Sequence, residues 1–299
     1  MKARKIDKTR LRGTLFVLPA FIIHALVIVV PAFTLFYFSL TDWVGIGTPN
    51  FVGLDNFSRM MSDRDFHRAF RNNVVWMSLF LVVPLILGLG MALLFKGMGR
   101  IQMVFRAICF LPYVVGSVVA GRVFAAFYSP FSGIGPFFAD LGVGFMEGFA
   151  PLGDTRLALF AVAFVDNWHW WGFVLVLMMS ALHQVDYTLH EAALIEGANP
   201  VQIFFRVTLP QIKPTIISYF IFIMVASFRT FDYVWVMTGG GPAGATELVA
   251  TWIFKRTFIS FEAGYGAALS LTVCLGVLTI FMVQKFVRKA LNHEPEGGA

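Results

Sequence analysis

The stretch EAALIEGANPVQIFFRVTLP, running from Glu191 to Pro210, is a polar interruption between two long apolar blocks. Thr188-Leu189-His190-Glu191 has the S/T-x-x-E spacing in which hydroxyl and carboxylate satisfy each other's free backbone N–H groups, so a short helix is predicted to start near Leu189. Gly197, free to take a positive φ, suits the end of that helix. Asn199 can cap a second helix, with Pro200 in its first turn and Gln202 completing a box-like spacing. This second helix is predicted to stop before Pro210. Ala192, Ala193, Leu194, Ile195, Val201, Ile203, Phe204 and Phe205 give the pair a small-to-large apolar relief. Read by periodicity alone, it is equally an interfacial hairpin lying on a bilayer or a surface for a soluble partner.

The blocks on either side decide the compartment. Of 299 residues, 58% are hydrophobic and 13% charged, with 34 Phe and a mean hydropathy of +0.76. That balance describes an all-α integral membrane protein. A helical span needs roughly 20 apolar residues. Six blocks qualify, at about 14–38, 73–95, 107–128, 157–182, 215–237 and 264–287. The first, about 25 residues long and without an A-x-A site, reads as a span rather than a cleaved leader.

Lys and Arg set the orientation, because cytoplasmic loops retain both. The amino terminus (1–13) carries Lys2, Arg4, Lys5, Lys8, Arg10 and Arg12, the second connection Lys96, Arg100 and Arg106, and the end of the chain Lys285, Arg288 and Lys289. Six spans then leave both termini (1–13 and the tail 291–299) and the 183–214 loop in the cytoplasm, with 14–290 as one transmembrane domain. The net charge of +6 is thereby read as topology and not as a nucleic-acid surface. Cys109 and Cys274 fall inside predicted spans and suggest neither a disulfide framework nor a metal site.

Between spans, the outer loop from Ser39 to Asn72 has turn signals at Pro49 and Gly53, and Asp55–Phe70 is predicted as an amphipathic interfacial helix. Pro19 and Pro31, Pro84 with Gly88 and Gly90, and Pro112 with Gly116 fall within spans, where neighbouring helices can re-satisfy the backbone and small residues allow close approach. No internal repeat is evident.

Ionisable residues inside spans are costly, about 2.5–3.5 kcal/mol each on insertion scales, and are candidates for function. Asp166, Asn167, Trp168, His169 and Trp170 cluster in the fourth block; Arg229, Asp232 and Tyr233 cluster in the outer half of the fifth. Sugars offer C–H faces for aromatic stacking and hydroxyls for charged and amide groups, and both clusters supply that mixture. The structural alternatives are an Arg229–Asp232 pair three residues apart, Trp anchors at an interface and a packed His169.

Glu191, Ala192 and Ala193, then Gly197 six positions after Glu191, then Leu209-Pro210, resemble the EAA signature of permease subunits from bacterial ABC importers. Glu196 stands where sugar permeases commonly have Asp, and Val207 where Ile is usual; both keep the character of the site. FVGLDNF at Phe51, FLPYVVGSVVAGRVF at Phe110, FRTFDYVWVMTGGGPAGATELVATWIFKRTF at Phe228 and GYGAALS at Gly264 extend the resemblance to the maltose/lactose/glycerol-phosphate branch over about residues 15–288.

This resemblance implies six transmembrane helices of the type I importer permease fold, with 183–214 as a coupling loop docked on an ATPase subunit and Glu191 as its charged contact. It implies a multi-pass protein of the bacterial cytoplasmic membrane, a second homologous permease, an ATPase dimer that binds ATP and Mg, and a periplasmic or lipid-anchored sugar-binding protein. No cofactor or metal is expected in this chain, nor catalytic residues. GGGPAGAT, beginning at Gly239, fails as a phosphate loop because Ala245 occupies the Lys position. Glycerol phosphate or another polar solute carried by the same machinery, and an ion-driven secondary transporter, are the rival expectations; a membrane enzyme finds neither metal-ligand spacing nor a nucleophile-base pair.

Overall fold

The computed structural model describes residues 8–291; residues 1–7 and 292–299, with part of the basic amino terminus and most of the tail, lie outside the described residues. Its helices are α1 (Lys8–His24), α2 (Val30–Ser39), α3 (Asp55–Ser62), α4 (Arg64–Phe95), α5 (Ile101–Val114), α6 (Ser117–Phe127) and α7 (Ile134–Asp140), followed by α8 (Ala158–His183), α9 (Tyr187–Ile195), α10 (Pro200–Ile203), α11 (Leu209–Arg229), α12 (Asp232–Met237), α13 (Val249–Phe254) and α14 (Ala263–Leu291). Among the described residues there is no strand, only an isolated bridge between Thr41 and Phe51. Five helical stretches are long and apolar enough to span a membrane, and six when the bent pair α5–α6 is taken as one.

Several boundaries differ from the sequence expectation. The interfacial helix predicted over 55–70 is broken at Asp63, whose backbone is extended, so that 64–70 open α4 instead. The third span is two helices bent by 89° at Val115 and Gly116, both extended. The helix begun at Pro200 does not stop before Pro210: it runs on through a π turn, Phe204–Thr208, into α11. A proline ring normally clashes with the carbonyl four residues back. The wider π turn, closed by Leu209 N–H on the Phe204 carbonyl, takes up the extra residue just before Pro210. The same device recurs before Pro31, where the π turn Ala25–Val29 joins α1 to α2.

The chain forms two compact units. One consists of the chain up to Asp63 together with Ile253–Ile280. In it, buried Asn56 donates to the carbonyls of Ser39 (3.0 Å) and Thr41 (2.8 Å). Gly264 N–H meets the Trp43 carbonyl at 2.7 Å, and a Cβ on Gly264 would collide with the Thr41 carbonyl. Arg59 bonds Glu262 at 2.7 Å and lies over the Tyr265 ring, while Tyr265 donates to Asp63 at 2.6 Å.

The other unit consists of Arg64–Trp252 and the chain from Phe281. Here α4, α5 and α11 pack on α8. Contact is close because Gly88 faces the backbone of Val174 and Leu175, and Gly172 faces the Cys109 carbonyl, where no Cβ fits. Pro84 leaves the Phe80 carbonyl without its helical donor, and the buried Tyr219 hydroxyl supplies one at 2.7 Å. An unmet carbonyl there would cost about 1–3 kcal/mol.

Candidate functional site

The breaks in two helices create the site. Where α5 gives way to α6, the Val115 carbonyl loses its helical partner and receives His169 Nε2 at 2.9 Å. A carbonyl only accepts, so this nitrogen carries the hydrogen and Nδ1 is left as an acceptor. Ser117, at the first turn of α6, donates to Asp232 Oδ2 at 2.6 Å. The second break, at Thr230 and Phe231, separates α11 from α12 and turns Asp232 away from Arg229. The expected i,i+3 pair is therefore not made, and Arg229 has no ion pair among the described residues.

These elements line an open cavity of about 380 Å³. From α8 it takes Asp166, His169 and Trp170, an i, i+3, i+4 set on one helix face. Phe80 of α4 and Phe222 of α11 add aromatic wall, both within 5.7 Å of the Trp170 ring. Arg229, Asp232, Tyr233 and Ser117 supply polar lining. Asp166 is only 2% exposed and its carboxylate faces the indole N–H of buried Trp76, while the Tyr233 hydroxyl and His169 Nδ1 have no hydrogen-bond partner among the described residues. Buried polar atoms are nearly always paired, so two orphans around one cavity mark a place for a polar guest or water.

Six of the eight sequence-predicted pathway residues thus line one cavity. The other two do not. Asn167 is buried on another face of α8, bonded to the Ala163 carbonyl, and Trp168 packs against Phe124. Ser117, Phe80, Phe222 and Phe231 were missed, since each is an ordinary residue brought in by packing. Only the Phe222, Ala226, Arg229 spacing of a helical face was there to be read.

The 183–214 loop is a second built feature. Its first helix starts earlier than expected, and its cap is Asp186, not Thr188: the carboxylate accepts from the Thr188 N–H (2.9 Å) and hydroxyl (2.8 Å). These bonds, from side chain first and backbone second, hold the Asp186 carboxyl below its ordinary range. The end follows expectation. Gly197 has φ +77°, its N–H bonds Leu194, and the Ala198 N–H bonds Ala193, the paired bonds of a Schellman stop. Asn199 and Gln202 form the full capping box at 2.9 Å each way. Gln211, unremarked in the sequence, accepts from Asp186 N–H (2.9 Å) and donates to Val207 (3.1 Å), tying the start of α9 to α11. Leu194, Ile195, Val201 and Phe205 are exposed, Ile195 to 87%, while Ile203 is buried beneath them. Glu191 and Ala192 are exposed, Ala193 and Leu209 half-buried, and Pro210 exposed.

The Gly239 loop is held by its carbonyls. Arg68 donates to Ala243 (3.0 Å), and Asn72 to Gly244, Ala245 and Glu247. Among the described residues no group of His, Cys, Asp and Glu is placed to hold a metal ion.

Residues 84–293 match the family model described as the inner membrane component of binding-protein-dependent transport systems. The chain is 31% identical to the trehalose/maltose transport system permease protein MalF of Thermococcus litoralis, covering 91% of each chain. It is also 31% identical to the diacetylchitobiose uptake system permease protein NgcF of Streptomyces coelicolor, covering 92% of this chain and 81% of the relative. Among solved structures, a bacterial alginate ABC transporter in complex with an alginate pentasaccharide-bound periplasmic protein has a chain that superposes with a TM-score of 0.82 at 18% identity, with 96% of each chain covered. The chain belongs to the inner-membrane component family of binding-protein-dependent transport systems and has the multi-pass, all-α fold of an ABC importer permease.

Proposed function

We propose that this chain is one permease half of an importer that carries a sugar or oligosaccharide across a bacterial cytoplasmic membrane, driven by ATP hydrolysis in a separate ATPase subunit. The observation that carries the driven part is the 183–214 loop. Two helices fixed by Asp186, Gly197, Asn199 and Gln202 present large apolar side chains outward, with Glu191 beside them. A rigid element with an uncovered apolar relief is suited to take up work from a partner, and the placement of Lys and Arg puts it on the cytoplasmic side. No phosphate loop accompanies it, so ATP and Mg belong to that partner.

A second permease is supported by the Phe16–Ser39 span, whose most apolar window buries nothing within this chain. The alginate relative is solved with a periplasmic protein, and an extracytoplasmic binding protein is proposed here by that likeness. The sugar reading rests on the relatives named for trehalose/maltose and diacetylchitobiose and on the aromatic and polar lining of the cavity. Closure of the ATPase pair would push the loop and reorient the spans from inward-facing to outward-facing around a site near the midplane. A phosphorylated polyol is the second reading, favoured by one observation: Arg229 lines the cavity without an ion-pair partner among the described residues.

The test is Glu191→Lys in the assembled system. Uptake and co-purification of the ATPase are expected to be lost while membrane insertion is unchanged; normal co-purification removes the coupling assignment. Uptake that survives deletion of the ATPase but collapses with an uncoupler replaces the reading with ion-driven transport.

A further inference from the structure

Where α4 and α8 end and α5 begins, a second, smaller pocket of about 70 Å³ opens to the surface, apart from the pathway site. Exposed Lys96, just past the end of α4, lines it together with half-buried Gln102 in the first turn of α5 and exposed His183 at the end of α8; Ala92, Met179 and Leu182 form its apolar floor. Among the described residues the side chains of Lys96 and Gln102 have no hydrogen-bond or ion-pair partner. His183 is committed on one side only. Its Nδ1 contacts the Met179 carbonyl at 2.6 Å, so that nitrogen carries the hydrogen and Nε2 can accept from a hydroxyl.

The stretch is basic: between Asp65 and Asp140 the chain contains no carboxylate, while Lys96, Arg100 and Arg106 fall within eleven positions of one another; the carboxylate nearest the end of α8 along the chain is Asp186, committed to its cap with Thr188. Around this basic spot the surface is apolar: Leu94, Met98, Ile101 and Val104 are all exposed. A cation and an amide donor in an open pocket between helix ends, with exposed aliphatic residues next to them in the chain, is the arrangement that suits a phosphate with an acyl chain attached.

We propose that this pocket binds the phosphate head of an anionic phospholipid, Lys96 supplying the charge, Gln102 an N–H donor, and His183 an acceptor for a head-group hydroxyl. The site rests on the cytoplasmic placement of this end of the chain proposed above. Its position gives it a consequence. Leu182 and His183 close α8, and Asp186, the cap of the first coupling-loop helix, follows three residues later, so a bound head group braces the base of that loop.

The full-length protein, incorporated into nanodiscs of phosphatidylcholine with graded phosphatidylglycerol, is released and its retained lipid read by native mass spectrometry. Phosphatidylglycerol is expected to be retained over phosphatidylcholine, with about fivefold weaker retention for Lys96→Gln and a comparable loss for Gln102→Leu. Lys285→Gln, which removes an exposed lysine on α14, is expected to leave retention unchanged. Equal loss in Lys285→Gln, or no preference in the wild type, overturns the site. A second arm adds inorganic phosphate to neutral discs: competition that displaces phosphatidylglycerol supports the phosphate chemistry, and phosphate binding with no lipid retained overturns the lipid as its source. Retention is read without transport or ATPase activity, so a failed coupling reading and a failed lipid site give different results.

Discussion

The coupling-type loop and the cavity between α4, α6, α8, α11 and α12 are assembled in opposite ways. In the loop, Asp186, Gly197, Asn199 and Gln202 find partners within five residues along the chain, and a longer bond, from the Asp186 N–H to Gln211 Oε1, spans 25. In the cavity, Ser117 reaches Asp232 across 115 residues and His169 reaches Val115 across 54. Local bonds specify a rigid shape before anything is packed; distant ones exist only once the helices have met. A single substitution should therefore act through shape in the loop and through chemistry in the cavity.

The sharpest way to break this contrast is Gly197→Pro. Proline cannot take φ +77° and removes the N–H that bonds Leu194, so both features of the helix stop are lost. Uptake and ATPase association are expected to disappear, with membrane levels of the protein unchanged. Trp170→Ala and Asp232→Asn come next: each is expected to lower uptake about tenfold, as loss of a stacking face or a hydroxyl partner, while the complex co-purifies normally. Equal impairment for every sugar tested, with lowered abundance, would instead make the cavity a packing feature.

Gln211→Leu removes the long tie in the loop. It is expected to weaken that tie by about 1 kcal/mol and to lower uptake several-fold with retained ATPase binding. Protection of the Asp186 amide from hydrogen exchange should fall in parallel. The smallest effect concerns Asp186 itself. Its carboxyl is held low by Thr188, so the cap is fully present above the ordinary aspartate range and is lost as pH falls through the depressed folded-state value. The carboxyl carbon shift of Asp186, followed through acidic pH, is expected to titrate below that of an unbonded aspartate, and Thr188→Ala should return it toward the ordinary range.

The caps of the loop could be read from residue types because Gly, Asn, Pro and Gln carry their conformational roles with them. Even there one partner differs: the residue spacing predicts Thr188 as the cap, whereas it donates to the true cap two residues earlier. Pro210 predicts a stop for the reason that holds in a regular helix, but the π turn before it changes the geometry and the helix continues. The cavity was legible only as expense. Asp166, His169, Arg229 and Asp232 stood out for being ionisable among apolar neighbours, and that singled out the right helices. It could not separate Asp166 from Asn167, or Trp170 from Trp168, because which face of α8 turns toward α11 and α12 is settled by packing.

By itself, then, the sequence determined that the chain lies in a membrane, where its apolar blocks run, and that a capped polar loop interrupts them, since hydropathy and capping act over a few residues. The tertiary structure decided the 89° bend at Val115 and Gly116, the rotation that parts Asp232 from Arg229, and the meeting of Ser117, His169 and Tyr233 around one cavity. Those depend on which backbone groups find a donor across the bundle, as Phe80 finds Tyr219, and no stretch of sequence holds both partners.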